Sequence, residues 1–357
     1  MGTWYDGRMC TSDNSLLIRK SVREMTPYVP GEQPRLPNLI KLNTNENPYP
    51  PSPAVGAALS ALNPETLRLY PDPLCAGLRD KLAALFSCTP GHILVANGSD
   101  EALRLCTDAF VENDGTIGYF DPSYSLYPVL AAMRGVPSRP VNLWPEQTWK
   151  MPEGYSCPLF FMTNPNAPTG MLFEKKHIKA FCETFPGVVV IDEAYADFAR
   201  ENALDLALTL PNVLVCRTLS KSYSLAGLRL GFLVGSPTLI SALYKLKDSY
   251  NIDRIALALA EAAISDQAAM RANVQRIIAT RERVERALRG RGWDVCPSET
   301  NFLWCRPPAG RTAAAVFKSL REQAIIVRYW DAPRLDAYLR ITVGTDPQMD
   351  ALLAALA

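Results

Sequence analysis

Val213-Leu214-Val215-Cys216-Arg217-Thr218-Leu219-Ser220-Lys221-Ser222-Tyr223-Ser224-Leu225-Ala226-Gly227-Leu228-Arg229-Leu230-Gly231-Phe232-Leu233-Val234 joins two short apolar runs through a lysine set among small hydroxyl residues. Val213-Leu214-Val215 reads as a buried strand, and Gly231 to Val234 as the next one. Open α/β sheets place their ligands where parallel strands exit. A lysine at such an exit is placed for Schiff-base chemistry, whereas most lysines are solvated surface groups. The neighbouring strand exits decide between the two.

From about residue 53 to 250, helical patterns alternate with apolar strands, which predicts a mostly parallel sheet with helices on both faces. The expected strands are Ile93-Ala96, Thr116-Phe120, Leu159-Thr163, Val188-Asp192, Val213-Arg217 and Gly231-Gly235, with helices at Ser99-Val111, Ser123-Met133 and Glu174-Phe185. The Ala-rich, charged segment from about Arg254 to Arg291 predicts one or two linked helices. Short strands then return at Asn301-Cys305, Ala324-Val327 and Tyr338-Val343, with helices at Ala313-Glu322 and Pro347-Leu356, as in a smaller α+β domain. The expected organisation is a loose leader over 1–18, an irregular proline-rich arm over 19–52, a large domain over 53–253 and a small domain over 254–357.

At the first exit, Asn97-Gly98-Ser99-Asp100-Glu101 opens a helix whose free amides can hold a phosphate, although alone it is an ordinary helix start. Tyr124 follows the second exit and can stack on a flat ring. A turn-rich loop, Thr163-Asn164-Pro165-Asn166-Ala167-Pro168-Thr169-Gly170, follows the third. At the fourth, Asp192 ends a branched apolar run, a costly place for a carboxylate without a cationic partner. Lys221 follows the fifth, and Arg229 lies eight residues on. A phosphate-binding helix start, a stacking aromatic, a buried acid and a lysine together suit pyridoxal 5'-phosphate, which needs a Schiff-base lysine and an acid opposite its ring nitrogen. No Gly-x-Gly-x-x-Gly or Walker loop follows the first strand, which argues against a nucleotide-binding Rossmann protein.

Bulk properties narrow the class further. The chain has 357 residues, 48% of them apolar, and a net charge of +1 from 37 basic and 36 acidic residues. Nothing in that balance points to nucleic acid or a membrane surface. No apolar run is long enough to span a bilayer, and Asp6, Arg8 and Asp13 near the N-terminus predict no signal peptide. Nine cysteines with no Cys-x-x-Cys pair predict a reducing cytoplasm, and two distant histidines predict no metal site.

The motifs Tyr28-Val29-Pro30-Gly31, Asn45-Glu46-Asn47-Pro48, Asn97 to Glu101, Asp192-Glu193-Ala194-Tyr195, Arg217 to Lys221 and Leu339-Arg340-Ile341-Thr342-Val343-Gly344-Thr345 occur in order. Together they resemble the fold-type I, pyridoxal-phosphate-dependent aminotransferases, and within them the branch acting on histidinol phosphate. The likeness runs from about Val22 to the C-terminus. It implies that Lys221 holds the cofactor and then moves the substrate's Cα proton, that Asp192 pairs with the pyridinium nitrogen, and that Tyr195 hydrogen-bonds the phenolic oxygen. It also implies that Ser99, Asp100, Ser220 and Arg229 bind the phosphate while Tyr124 stacks on the ring. Tyr70 would reach the phosphate of a neighbouring subunit, making the active unit a homodimer. Arg340 and Arg328 would hold the substrate's anionic end, and Tyr49 would close over it. Many relatives carry Asn-Pro-Thr-Gly where this chain has Ala167-Pro168-Thr169-Gly170, so Asn166, one residue earlier, is the candidate for the missing amide.

The expected reaction is ping-pong transamination of small-molecule substrates, with histidinol phosphate and 2-oxoglutarate exchanging for imidazole-acetol phosphate and glutamate. An aromatic amino-acid aminotransferase needs only a different pocket lining. A threonine-phosphate decarboxylase of the same superfamily is a further alternative. A silent pyridoxal-binding regulator fits less well, because no DNA-binding module is apparent.

Overall fold

The computed structural model describes residues 17–143 and 149–357. Of the expected leader, only Leu17 and Ile18 fall within them; the rest lies outside the described residues. The strands, in chain order, are β1 (Ile40–Leu42), β2 (Ile93–Ala96), β3 (Ile117–Asp121), β4 (Ser138–Asn142), β5 (Leu159–Thr163), β6 (Val188–Asp192), β7 (Val213–Thr218), β8 (Gly231–Gly235), β9 (Asp294–Val295), β10 (Phe302–Arg306), β11 (Ile325–Val327) and β12 (Leu339–Thr342).

Seven of them form one sheet in the order β2-β8-β7-β6-β5-β3-β4. The run from β4 to β7 is parallel, and β8 is antiparallel to both β7 and β2. Side chains alternate across a strand, so each apolar run feeds two cores. Val213 and Val215 of β7 join one core, and Leu214 and Cys216 join the other. Helices Gly98–Phe110 and Leu126–Arg134 cover the second face through Leu103, Leu105, Cys106, Tyr127 and Leu130. Helix Lys175–Thr184 covers the first through Ile178, Phe181 and Cys182. Burial on both faces explains why these strands read as continuous apolar runs.

Three strands were not expected: β1, β4 and the two-residue β9. β4 lies at the sheet edge and exposes Arg139 and Pro140, so its sequence carries little apolar signal. β1 lies inside the proline-rich arm and pairs in parallel with β11. A separate antiparallel sheet has the order β12-β10-β9. The expected helix at Ser123 starts later, at Leu126, after the loop that carries Tyr124.

The charged segment after residue 253 forms two helices, Arg254–Ser265 and Gln267–Arg289. Asp253 caps the first by accepting from the Ala256 amide at 2.8 Å, and Asp266 caps the second from Ala269 at 3.2 Å. The two helices divide their apolar residues between two cores. Ala256, Leu259, Ala260, Ala263 and Ile264 belong to the large sheet's core, as do Val274 and Ile277, while Val284 and Leu288 belong to the C-terminal core. The long helix therefore spans both cores. No helix among the described residues is long and apolar enough to cross a membrane.

Candidate active site

The C-terminal ends of β5, β6 and β7 open onto a cavity of about 390 Å³, a size suited to a small organic ligand. Its walls include Ser99, Asp100, Tyr124, Asp192, Tyr195, Ser220, Lys221, Arg229, Arg328 and Arg340, all expected from the sequence. Tyr28, Asn45, Thr163, Ala167 and Trp330 complete much of the rest.

Asp192 is the last residue of β6 and is 3% exposed. Burial pushes its carboxyl up to about 6, against the hydrogen bonds that oppose the shift. Its Oδ2 accepts from the Tyr127 hydroxyl at 2.9 Å and its Oδ1 from the Ala194 amide at 3.2 Å. Tyr127 also lies 2.5 Å from the Thr163 hydroxyl. Its role was missed in the sequence, although its position three residues after Tyr124, on an apolar helix face, was a usable signal. The two rings meet edge to face at 5.8 Å.

Lys221 follows the end of β7, and its Nζ lies 3.3 Å from the Thr44 carbonyl oxygen and 6.0 Å from the Tyr195 ring centre. Burial lowers its amine to about 8, and Arg340 pushes the same way. Its backbone is clamped from the arm: Asn47 Nδ2 donates to the carbonyls of Lys221 and Ser222 at 3.0 and 3.2 Å.

Behind Lys221 lies a buried charge cluster. Arg217 of β7 donates to Glu193 Oε2 at 2.8 Å and to Asp197 Oδ1 at 3.0 Å, and Asp197 in turn accepts from the Ser222 hydroxyl. Glu193 has a fully buried side chain and also accepts from the Ala203 amide. Arg217→Ala is expected to destabilise the protein by about 3–5 kcal/mol, because it strands the fully buried Glu193 carboxylate. A denaturant midpoint within error of the parent protein's would show that the cluster carries no such load.

The phosphate-like end of the cavity is built by close backbone approach. Gly98, at φ +77, opens helix Gly98–Phe110, and a Cβ there would meet Arg229 Nη2 at 2.8 Å. A Cβ on Gly231 would meet the Ser99 amide nitrogen at 2.7 Å. Arg229 Nη2 reaches Asp100 Oδ2 at 3.3 Å, and the Tyr124 hydroxyl donates to Asp100 Oδ1 at 3.2 Å. The Asp100 side chain is thereby occupied by a cation and a hydroxyl, which leaves less negative charge facing an anion bound at the helix start. Ser220 accepts a hydrogen bond from Thr218 Oγ1 at 2.9 Å.

Arg340, on β12, donates from Nη2 to the Asn43 carbonyl at 2.9 Å and lies over the rings of Phe302 and Trp330. Its Nε is buried without a hydrogen-bond partner among the described residues. Burial holds the guanidinium below its ordinary value, and Arg328 adds to that effect. Backbone pairing of Arg328 with Arg340 brings the two cations to the same wall. An orphaned donor beside a second guanidinium is suited to an anionic ligand.

Two residues expected in the cavity, Tyr49 and Asn166, fall elsewhere, and Tyr70, expected to act on a neighbouring chain, also lies outside it. Tyr49 does not line the cavity: Asn47 Oδ1 accepts from the Tyr49 amide at 3.0 Å, and the ring packs 3.5 Å beneath the Arg276 guanidinium. Asn166 is fully buried and turned away, donating to the Pro122 carbonyl at 3.3 Å and accepting from the Thr169 hydroxyl at 2.8 Å. Ala167 takes its place in the cavity wall. Tyr70 is 77% exposed and stacked on Tyr250 at 4.4 Å, outside the cavity of its own subunit.

The donor set fits pyridoxal 5'-phosphate: a buried amine, a buried carboxylate on the neighbouring strand, and the Ser99, Ser220 and Arg229 group at a helix start line one space. The family model for aminotransferase class I and II matches residues 37–356. A histidinol-phosphate aminotransferase of Syntrophotalea carbinolica is 45% identical over 344 residues, covering 95% of this chain and 98% of that protein. Another, from Aromatoleum aromaticum, is 46% identical, covering 94% and 96%. Among solved structures, the Sinorhizobium meliloti histidinol-phosphate aminotransferase in complex with pyridoxal-5'-phosphate superposes with a TM-score of 0.82 at 27% identity, covering 89% of each chain.

Proposed function

The chain belongs to the class I and II aminotransferases, and on that premise we propose that it is a pyridoxal-phosphate-dependent enzyme exchanging an amino group between histidinol phosphate and 2-oxoglutarate, in histidine biosynthesis. The products are imidazole-acetol phosphate and glutamate. The observation that carries this reading is the meeting, in one cavity, of Lys221 and Asp192 with two arginines, one of which has an unused buried donor.

Lys221 is the attachment point and the base that carries the proton to and from the substrate's Cα. Its lowered proton affinity leaves a useful fraction of free amine near neutral pH. When bound, the cofactor supplies an electron sink for the charge left at Cα. Asp192 would pair with the ring nitrogen and, once ionised, would keep a proton there. Tyr127 orients that carboxylate. Ser99, Asp100 through its backbone amide, Ser220 and Arg229 hold the phosphate, and Tyr124 packs on the ring. Tyr195 donates to the phenolic oxygen. Arg340 and Arg328 grip the phosphate of one substrate and the carboxylate of the other, since a guanidinium fork accepts both.

A homodimer in the cytoplasm is part of the same reading. Exposed Tyr70 is flanked in sequence by exposed Leu67, Leu69 and Leu74, an apolar stretch suited to a partner subunit. There Tyr70 would reach the partner's phosphate site. The decisive measurement is the initial rate of the cofactor-loaded protein with glutamate and imidazole-acetol phosphate, compared with glutamate and phenylpyruvate. A clear preference in kcat/KM for the first pair is expected. A preference for phenylpyruvate would replace the substrate, and carbon dioxide release from an amino-acid phosphate would replace the reaction.

A further inference from the structure

We infer that Asn45 is a positioning residue that aims the Tyr195 hydroxyl into the cavity, and so sets the proton affinity at Lys221 when the cofactor is attached. The inference rests on the cofactor reading above. Asn45 belongs to the Asn45-Glu46-Asn47-Pro48 motif, to which the proposed reaction assigns no role. It is 1% exposed and sits at φ +56, a left-handed conformation that asparagine tolerates better than most residues.

Every polar atom of Asn45 is committed. Its amide donates to Thr342 Oγ1 at 3.0 Å, its Oδ1 accepts from the same hydroxyl at 3.0 Å, and its carbonyl accepts from Asn301 Nδ2 at 2.9 Å. With Oδ1 taken by Thr342, Nδ2 faces Tyr195 and donates to its hydroxyl oxygen at 2.9 Å. That bond uses the acceptor side of the phenol and leaves its hydrogen free to point elsewhere. Among the described residues Tyr195 Oη has no second hydrogen-bond partner, and Tyr195 lines the cavity. A hydroxyl that accepts one hydrogen bond is also the stronger donor in the next.

The composition of the wall raises the stake. Ala167 offers no side-chain donor, and the Asn166 amide is spent on Pro122 and Thr169. Donation to the cofactor's phenolic oxygen therefore falls on Tyr195. A donor at that oxygen withdraws electron density from the conjugated link to Lys221 and lowers its proton affinity. Losing the Asn45 bond weakens the donor and raises that affinity.

The test is a pH titration of the visible absorbance band of the cofactor-loaded enzyme, for Asn45→Gly made in the parent protein and in Tyr195→Phe. Glycine accepts the left-handed backbone and removes the amide. The band's midpoint is expected to rise by about half to one pH unit in the parent protein. In the Tyr195→Phe background it should stay in place. Equal shifts in the two backgrounds, or no shift in the parent, would overturn the inference. Should Asn45→Gly not fold, Asn45→Asp keeps the shape and the Thr342 contact but accepts from Tyr195 instead of donating. Its shift must then be larger with the tyrosine than without it, and equal shifts again overturn the role. A parent protein with no Lys221-linked band would sink the cofactor reading itself, a failure visible before any variant is compared.

Discussion

Lys221→Ala is expected to abolish the covalent cofactor band and lower kcat by about 10⁴-fold or more, because on the proposed reading one change removes both the attachment point and the general base. Absorbance of the reconstituted protein and single-turnover rates measure the two losses separately. If the alanine variant kept the band, another amine would be the attachment point. The parent protein carries a companion signature. Only the neutral amine attacks an aldehyde, and burial followed by Arg340 brings the Lys221 amine down to about 8. The rate of cofactor capture by the cofactor-free protein is therefore expected to climb with pH and level off above about 8. An exposed lysine would still be gaining rate well beyond that point.

Asp192→Asn pulls activity and stability in opposite directions. With the cofactor bound, the variant lacks the charge opposite the ring nitrogen, and kcat should fall by about 10²–10³-fold. Without the cofactor, the carboxylate is a burden, because burial raises it from 3.8 to about 6. Folded Asp192 therefore keeps its proton longer than the unfolded chain does. Its contribution to stability is full below about pH 4, falls as pH rises through about 6, and is then constant. The whole shift corresponds to about 3 kcal/mol. Melting midpoints of cofactor-free parent and Asp192→Asn proteins between pH 4 and 8 read the difference directly. The parent should lose stability relative to the variant across that window, and parallel curves would show that Asp192 is not the buried acid.

The parts of this site that could be read from the sequence share a physical cause. β5, β6 and β7 are buried on both faces, so their apolar runs end sharply, and the polar residue at each end stands out. Asp192 and Lys221 were legible in that way. Ser99 and Arg229 were legible because glycines at 98 and 231 permit the close approach that a phosphate site needs. Contacts set by side-chain direction were not. Tyr49 lies two residues past Asn47, and only the turn closed by the Asn47 side chain sends its ring under Arg276 rather than into the cavity. Asn166 and Ala167 are adjacent, yet the fold exchanges their expected placement by tying the asparagine to Pro122 and Thr169. Tyr127 was hidden for a different reason. A tyrosine on an apolar helix face is usually core, and here it is core with its hydroxyl on the Asp192 carboxylate. β4 was missed because an edge strand need not be apolar.

The pairing of β1 with β11 has a consequence for how the chain is made. Ile40 to Leu42 are synthesised well before their sheet partner, Ile325 to Val327. The next residues along the arm are held the same way, with Asn45 bound to Thr342 across 297 positions of sequence. Until those later segments are made, the arm lacks this sheet partner and the cavity lacks the wall that carries Arg340. Contacts of such long sequence separation form late and slowly. The nascent chain can thus complete the large sheet long before the cavity is closed, and a ribosome stalled before residue 325 would hold a chain with Lys221 in place and the Arg328 and Arg340 wall not yet made.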